Sequence, residues 1–410
     1  MLRKMDGFTK NVIIVFAGTS LVNLFNLLYQ LMIAHKLSVS SYASFNSLLS
    51  IFYVISAPLI TVQLAITKYS AELAAHNQIN KIKFLVSDLL KKTSFLAVIT
   101  FFIFWFIFGY IINLLKIPSI YSGFILAALL ALSWLVPIFS SVIQGLEMFG
   151  WLTAISVITG ALKLALAYLA IKLGYSIGGA LGALLVSTLA VILISYFPLR
   201  SFVSIKAVKE TVNYKEIFIY LFPVAIGSLC FVALVNSDII LVKYFFPADA
   251  AGKYSLAQMV GKVFLFLPSA ISVVMFPKTS GQNAKKMDTT STLKKSLFYV
   301  LALCIFAYIL YTFFPSFVLM MLTGKVFPES ILLGRLFGIS MTFFALLYTL
   351  SFYFLSIKDL RFIKLLVLFT ILQNSAIILF HKSLINVQMI LCLSAILLFF
   401  SNMSLVYKKR

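Results

Sequence analysis

Apolar residues do not alternate along this chain; they run. Stretches of about twenty residues rich in Leu, Ile, Phe and Val recur from Asn11 to Leu405, divided by short clusters that hold most of the Lys, Arg, Ser, Gly and Pro. At 1.5 Å per residue, a helix of that length crosses a ~30 Å hydrocarbon layer. Membrane barrels would show ten-residue segments of alternating polarity instead. Twelve spans are predicted, at 11–34, 42–66, 93–115, 123–143, 152–171, 176–198, 217–242, 254–276, 297–321, 331–356, 364–380 and 384–405. The first is too long for the apolar core of a cleavable signal. The expected fold class is therefore an all-α polytopic membrane protein.

Charge changes the picture by its placement. The 33 Lys and Arg against 11 Asp and Glu give a net charge of +22, which alone would invite a nucleic-acid partner. Yet 23 of the 33 fall on the amino-terminal tail, the loops after even-numbered spans and the carboxyl-terminal tail. Among them are Arg3, Lys4, Lys10, Lys68, Lys81, Lys83, Lys91 and Lys92, the stretch 200–215, and Lys278, Lys285, Lys286, Lys294, Lys295, Lys408, Lys409 and Arg410. Seven fall on the opposite side and three inside spans. The positive-inside rule then predicts both termini in the cytoplasm of a multi-pass protein of the cytoplasmic membrane. Membrane lipids are the partners of this charge, and no nucleic-acid partner is expected.

The chain is written twice. Pro58 and Lys68 are ten residues apart, as are Pro268 and Lys278, at an offset of 210. SSYASFN (40–46) corresponds to DAAGKYS (249–255) at an offset of 209. Two six-helix lobes are expected, 1–210 and 211–410, with a transport pathway between them and with Pro58 and Pro268 as hinge candidates. The alternative is that both are ordinary prolines of membrane helices.

Polar groups inside the spans are the candidate chemistry, because a charge at bilayer depth needs a partner or water. Lys163 and Lys262 are central in their spans, whereas Asp238 and Arg335 lie nearer the external side. Ser255, Gln258, Lys262 and Ser269 fall near one side of span eight; Ser156, Thr159, Gly160 and Lys163 do so in span five. In span one, Thr19, Asn23, Asn26 and Gln30 form a continuous stripe. These predict a hydrated, net-cationic cavity. Asp238 is at a depth where it either pairs with Lys262 or faces that cavity, Arg335 can snorkel to the surface, and the amides of span one can bond between helices. Gly174, Gly178 and Gly182 suggest close helix packing.

Other chemistries are missing. His35, His76 and His381 are scattered and predict no metal site; Cys230, Cys304 and Cys392 lie in unrelated spans and read as buried packing. No Walker motif is present. The external connections (HKLSVSS, KIPSIYS, KLGYS, TGKVFPES and HK) are too short for the catalytic loop of a membrane glycan polymerase or ligase.

SSYASFN, QGLEMFGW (144–151), GYSIGGALGA (174–183) and NSDIILVKYFFPADAAGKYSLAQ (236–258), in this order, resemble the polysaccharide-transport flippases of the multidrug/oligosaccharidyl-lipid/polysaccharide exporter superfamily. Ala43 departs from the glycine usual after the tyrosine, which Gly252 keeps, and twelve spans rather than fourteen set the chain apart from the lipid II branch. The resemblance implies a flippase, not an enzyme, that carries polyprenyl-(pyro)phosphate-linked oligosaccharide outward by alternating access through a cationic cavity. It places Lys163, Lys262 and Arg335 on the substrate's anion, with Asp238 as the balancing acid; Asn23, Asn26, Gln30 and Gln258 would meet sugar hydroxyls. It implies no cofactor beyond coupling by H+ or Na+, and glycan assembly or polymerisation machinery as a partner. The rival reading is a multidrug or cation antiporter of the same fold, for which an acid in span one would be expected and is absent.

Overall fold

The computed structural model describes residues 7–202 and 214–407; Arg3, Lys4, Lys206, Lys209, Lys408, Lys409 and Arg410 of the charge count lie outside them. The described residues form α-helices and no strands. In order they are α1 (Gly7–Lys36), α2 (Val39–Ser56), α3 (Leu59–Ala75), α4 (Ile79–Leu114), α5 (Ile120–Ser133), α6 (Val136–Gly145), α7 (Phe149–Lys172), α8 (Ile177–Leu199), α9 (Tyr214–Phe245), α10 (Ala248–Phe266), α11 (Ser269–Ala284), α12 (Thr290–Phe313), α13 (Pro315–Thr323), α14 (Pro328–Ser356), α15 (Arg361–Leu379) and α16 (Leu384–Tyr407). Eleven helices or helix pairs are long and apolar enough to cross a membrane, and the bent pair α2–α3 makes a twelfth.

Four predicted spans are broken, and prolines account for the breaks. A proline has no N–H for the helical ladder, and its ring clashes with the carbonyl four residues back. Thus α2 stops before Ala57–Pro58 and α3 leaves at 42°. Pro268 separates α10 from α11, Pro137 opens α6 after α5, and Pro315 opens α13 after α12. Span nine, predicted to reach residue 321, therefore ends as a straight helix at Phe313.

The doubling of the sequence is carried into the packing. Between α10–α11 and α14, Ser330 Oγ donates to the Lys253 carbonyl at 2.9 Å, the Ser272 and Thr349 hydroxyls are 2.9 Å apart, and Thr279 donates to Ser356 at 2.6 Å. Each pair differs by 77 in number. A constant difference means two helices running parallel in register. In the first half, Ser141 Oγ donates to the Gln63 carbonyl at 3.0 Å, and a Cβ on Gly145 would stand 2.8 Å from the Thr67 carbonyl; both pairs differ by 78. Spans two and four are thus packed as spans eight and ten are. Helix ends repeat as well: Asn77 and Lys286, and Glu147 and Lys358, all adopt positive φ just past a helix. There the following backbone N–H groups close onto the last turn, as in Met287 to Gln282 and Asp359 to Phe354.

The helices gather into two compact units, Met1–Leu37 with Ile55–Ala225, and Ser38–Val54 with Ile226–Arg410. The sequence division at 210/211 does not anticipate that α2 packs within the second unit. Small and hydroxylated residues make this possible. Ala43 enters the core of that unit, Tyr42 donates to the Met259 sulfur at 3.2 Å, and Ser47 donates to the Ile239 carbonyl at 3.4 Å. The Val39 carbonyl lies where a Cβ on Gly252 would be only 2.6 Å away. The chain returns to the first unit at 54/55, just before the Pro58 break.

Replacing Gly252 with Leu forces backbone atoms apart and is expected to destabilise by ~1–3 kcal/mol or more. Gly182→Ala, with nothing within 4 Å of the new Cβ, serves as the control. Thermal unfolding of the purified protein reads both; a Gly252→Leu protein that melts with wild type would contradict this packing of α2. Gly178 and Gly182 also correct the expectation of close packing there, since the tight contact falls on the neighbouring Gly179, where a Cβ would stand 2.8 Å from the Ala170 Cβ, while Gly174 closes α7 at φ +88°.

Candidate functional site

The first unit brings α1, α7 and α8 together around Lys163. α7 runs from Phe149 to Lys172, so Lys163 is fourteen residues, about 21 Å, from its start and nine, about 14 Å, from its end. One turn earlier, Gly160 lets Phe25 of α1 approach to 3.3 Å of where a Cβ would stand. That closeness puts the half-buried ammonium onto α1: Lys163 Nζ donates to Asn26 Oδ1 and lies 4.8 Å from the centre of the Tyr29 ring. Tyr29 is fixed in turn by donating to the Ala180 carbonyl of α8 at 2.9 Å.

An amide oxygen and an aromatic face attract a cation without cancelling its charge. Among the described residues no ion pair involves Lys163. The site therefore keeps a positive charge. Asn23, three residues before Asn26, is exposed, and Gln30 is half-buried. The expected hydroxyl stripe of α7 is otherwise engaged. Ser156 and Thr159 donate to the Leu152 and Ile155 carbonyls of their own helix, at 2.8 Å each, as Ser and Thr do in apolar helices.

The second unit holds a buried network around Asp238. Asp238 on α9 is fully buried; Tyr254 Oη donates to its Oδ2 at 2.8 Å, and Gln258 Nε2 lies 3.1 and 3.2 Å from its two carboxylate oxygens. Tyr254 and Gln258 are four apart on α10 and so share a face. The network extends to α16 and α14, because Tyr254 Oη is 3.1 Å from Gln388 Oε1, and Gln388 Nε2 donates to Ser340 Oγ at 2.9 Å. Gln258 Oε1 is buried with no hydrogen-bond partner.

Lys262 stands one turn beyond Gln258 and is half-buried. The sequence reading left open a direct Asp238–Lys262 pair. Among the described residues no ion pair joins them; the carboxylate is held by neutral donors instead. Ser255, one of the polar side of span eight, bonds its own helix at the Ala251 carbonyl.

Arg335 is exposed on α14. Pro58 and Pro268 both sit at helix breaks, each at the entry of the following helix. Sequence reasoning missed Tyr29, Ser340, Gln388 and Lys243. Gln388 offered a signal, an amide within an apolar run. Lys243, one residue past the predicted seventh span, is 2% exposed near the end of α9. Among the described residues no group of His, Cys, Asp and Glu is arranged for a metal ion.

A family model described as "Polysaccharide biosynthesis protein" matches residues 8–283, two thirds of the chain. The chain belongs to this family. Its fold is shared by several solved transporters. A multidrug resistance MATE family transporter in an inward-facing conformation superposes with a TM-score of 0.73 at 14% identity, over 94% of this chain and 95% of that one. The lipid II flippase MurJ in an inward closed conformation gives 0.72 at 13% identity, over 96% and 87%. A MOP superfamily transporter from Pyrococcus furiosus gives 0.63 at 15%, over 97% and 96%. At these identities the likeness is one of fold. Comparison with curated protein sequences gave no match.

Proposed function

We propose that this member of the family is a flippase for an oligosaccharide linked to polyprenyl (pyro)phosphate, moving it from the cytoplasmic to the outer leaflet of the cytoplasmic membrane with both termini in the cytoplasm. The observation that carries this reading is Lys163, an ammonium far from either helix end that is held by an amide and a ring and by no carboxylate. A group so placed favours an anion. The obstacle to flipping such a lipid is its headgroup, whose phosphate and hydroxyls are both expensive to place in hydrocarbon. Lys163 and Lys262 compensate the phosphate as it passes, exposed Asn23 of α1 exchanges hydrogen bonds with sugar hydroxyls, and the polyprenyl tail stays in lipid. Bending at the Pro58 and Pro268 breaks alternates access. An inside-negative potential favours outward passage of each negative charge by about 2.3 kcal/mol per 100 mV, so no nucleotide is required. Glycan polymerisation machinery would receive the product.

The rival reading, export of an organic cation, is favoured by Asp238, a buried carboxylate in no ion pair among the described residues, which is also where coupling to H+ or Na+ would reside. A deletion strain separates the two. Loss of surface glycan with lipid-linked oligosaccharide accumulating on the cytoplasmic side supports the flippase; unchanged glycan with heightened sensitivity to cationic drugs supports the exporter.

A further inference from the structure

The exposed face of α12 carries lysines at one end and an apolar depression along its length. Lys294, Phe298, Leu301, Ile305 and Ile309 fall at successive helical turns on one stripe, and both Lys294 and its neighbour Lys295 are exposed. Along this stripe the side chains of α12 from Phe298 to Ile309 leave a shallow apolar hollow, open to the outside, with the small Ala302 one turn from both Phe298 and Phe306. At the basic end a cleft of about 20 Å³ lies where Lys294 and Thr290 meet Tyr407 of α16.

We propose that this stripe is a binding site for an anionic phospholipid of the adjoining leaflet, with one acyl chain in the hollow and the phosphate on Lys294 and Lys295. Two observations select this occupant. The connection from Lys278 to Lys295 carries five lysines and a single acid, Asp288, and that acid is engaged by Thr290, whose N–H and hydroxyl both donate to its Oδ1, at 3.1 and 2.7 Å. The charge is thus complementary to a phosphate. From Phe298 to Ile309 is eleven residues, about 16 Å, which is close to half of a ~30 Å hydrocarbon layer. A groove of that length suits the chain of one leaflet and is far too short for a polyprenyl carrier. The inference does not depend on what the protein transports.

The test uses the full-length protein in detergent, titrated with phosphatidylglycerol, phosphatidylcholine or undecaprenyl phosphate, with bound lipid counted by native mass spectrometry. Wild type should prefer phosphatidylglycerol to phosphatidylcholine. Lys294→Gln/Lys295→Gln should lower phosphatidylglycerol affinity about 30-fold, since each basic residue near a membrane surface contributes about a tenfold or smaller factor and two act here. Ala302→Phe, which fills the hollow, should weaken both phospholipids. Lys285→Gln/Lys286→Gln, in the same connection and off the stripe, should change affinity less than threefold. An unchanged preference in the 294/295 variant, or an equal loss in the 285/286 variant, would overturn the site in favour of diffuse surface attraction. A preference for undecaprenyl phosphate over phosphatidylglycerol that the 294/295 variant abolishes would overturn the occupant.

Discussion

Replacing Lys163 and Lys262 together by alanine is expected to reduce glycan export by at least about 100-fold with the protein still present in the membrane. A hydrogen bond to a charged group contributes about 1.5–3 kcal/mol, and two such contacts to the substrate phosphate give 3–6 kcal/mol at tenfold per 1.4 kcal/mol. Lys163→Arg keeps the cation and should retain most export. Asn26→Ala removes the group that aims the ammonium and should cost less, about 3–10-fold. Surface glycan per cell, normalised to membrane-inserted protein, reads all three variants. Export by the double alanine variant equal to wild type would remove the phosphate role of both lysines.

Gln258→Leu is expected to lower the stability of the protein by about 2–3 kcal/mol. Gln258 Nε2 serves both oxygens of a carboxylate that is fully buried, and a buried ionised group deprived of a donor bears the desolvation cost itself. Tyr254→Phe removes the shorter contact, at 2.8 Å, and should cost a similar amount. Because both donors act on one group, their effects should not add; a double variant within about 1 kcal/mol of either single one is predicted. Denaturation of the purified protein in detergent measures this. If Gln258→Leu unfolds within a few tenths of a kcal/mol of wild type, the network does not hold Asp238 as described.

The fold was legible because membrane helices are written by length: runs such as 93–115 and 384–405 need no tertiary information to be recognised. The repeat was legible through Pro58 and Pro268, since a missing N–H acts locally on any helix. What escaped was decided by packing. That α2 joins the second unit depends on Val39 meeting Gly252, more than two hundred residues away, and periodicity carries no trace of it. Asn26 of the polar stripe of α1 meets Lys163, while Ser156, Thr159 and Ser255 turn back onto their own helices, a choice the sequence leaves open between facing a cavity and bonding the helix itself. Asp238 was recognised as unusual, and its partner was sought among cations; the structure supplies Tyr254 and Gln258 because neutral donors at the right depth satisfy a carboxylate without burying a second charge.

The most direct measurement of the central claim is translocation of a polyprenyl-pyrophosphate-linked oligosaccharide by the purified protein in proteoliposomes, read by a sugar-modifying enzyme confined to one side. Wild type should carry the lipid across and the Lys163→Ala/Lys262→Ala protein should not, although both reconstitute equally. Equal translocation by the two proteins, or efflux of an organic cation with no movement of the glycolipid, would contradict the account.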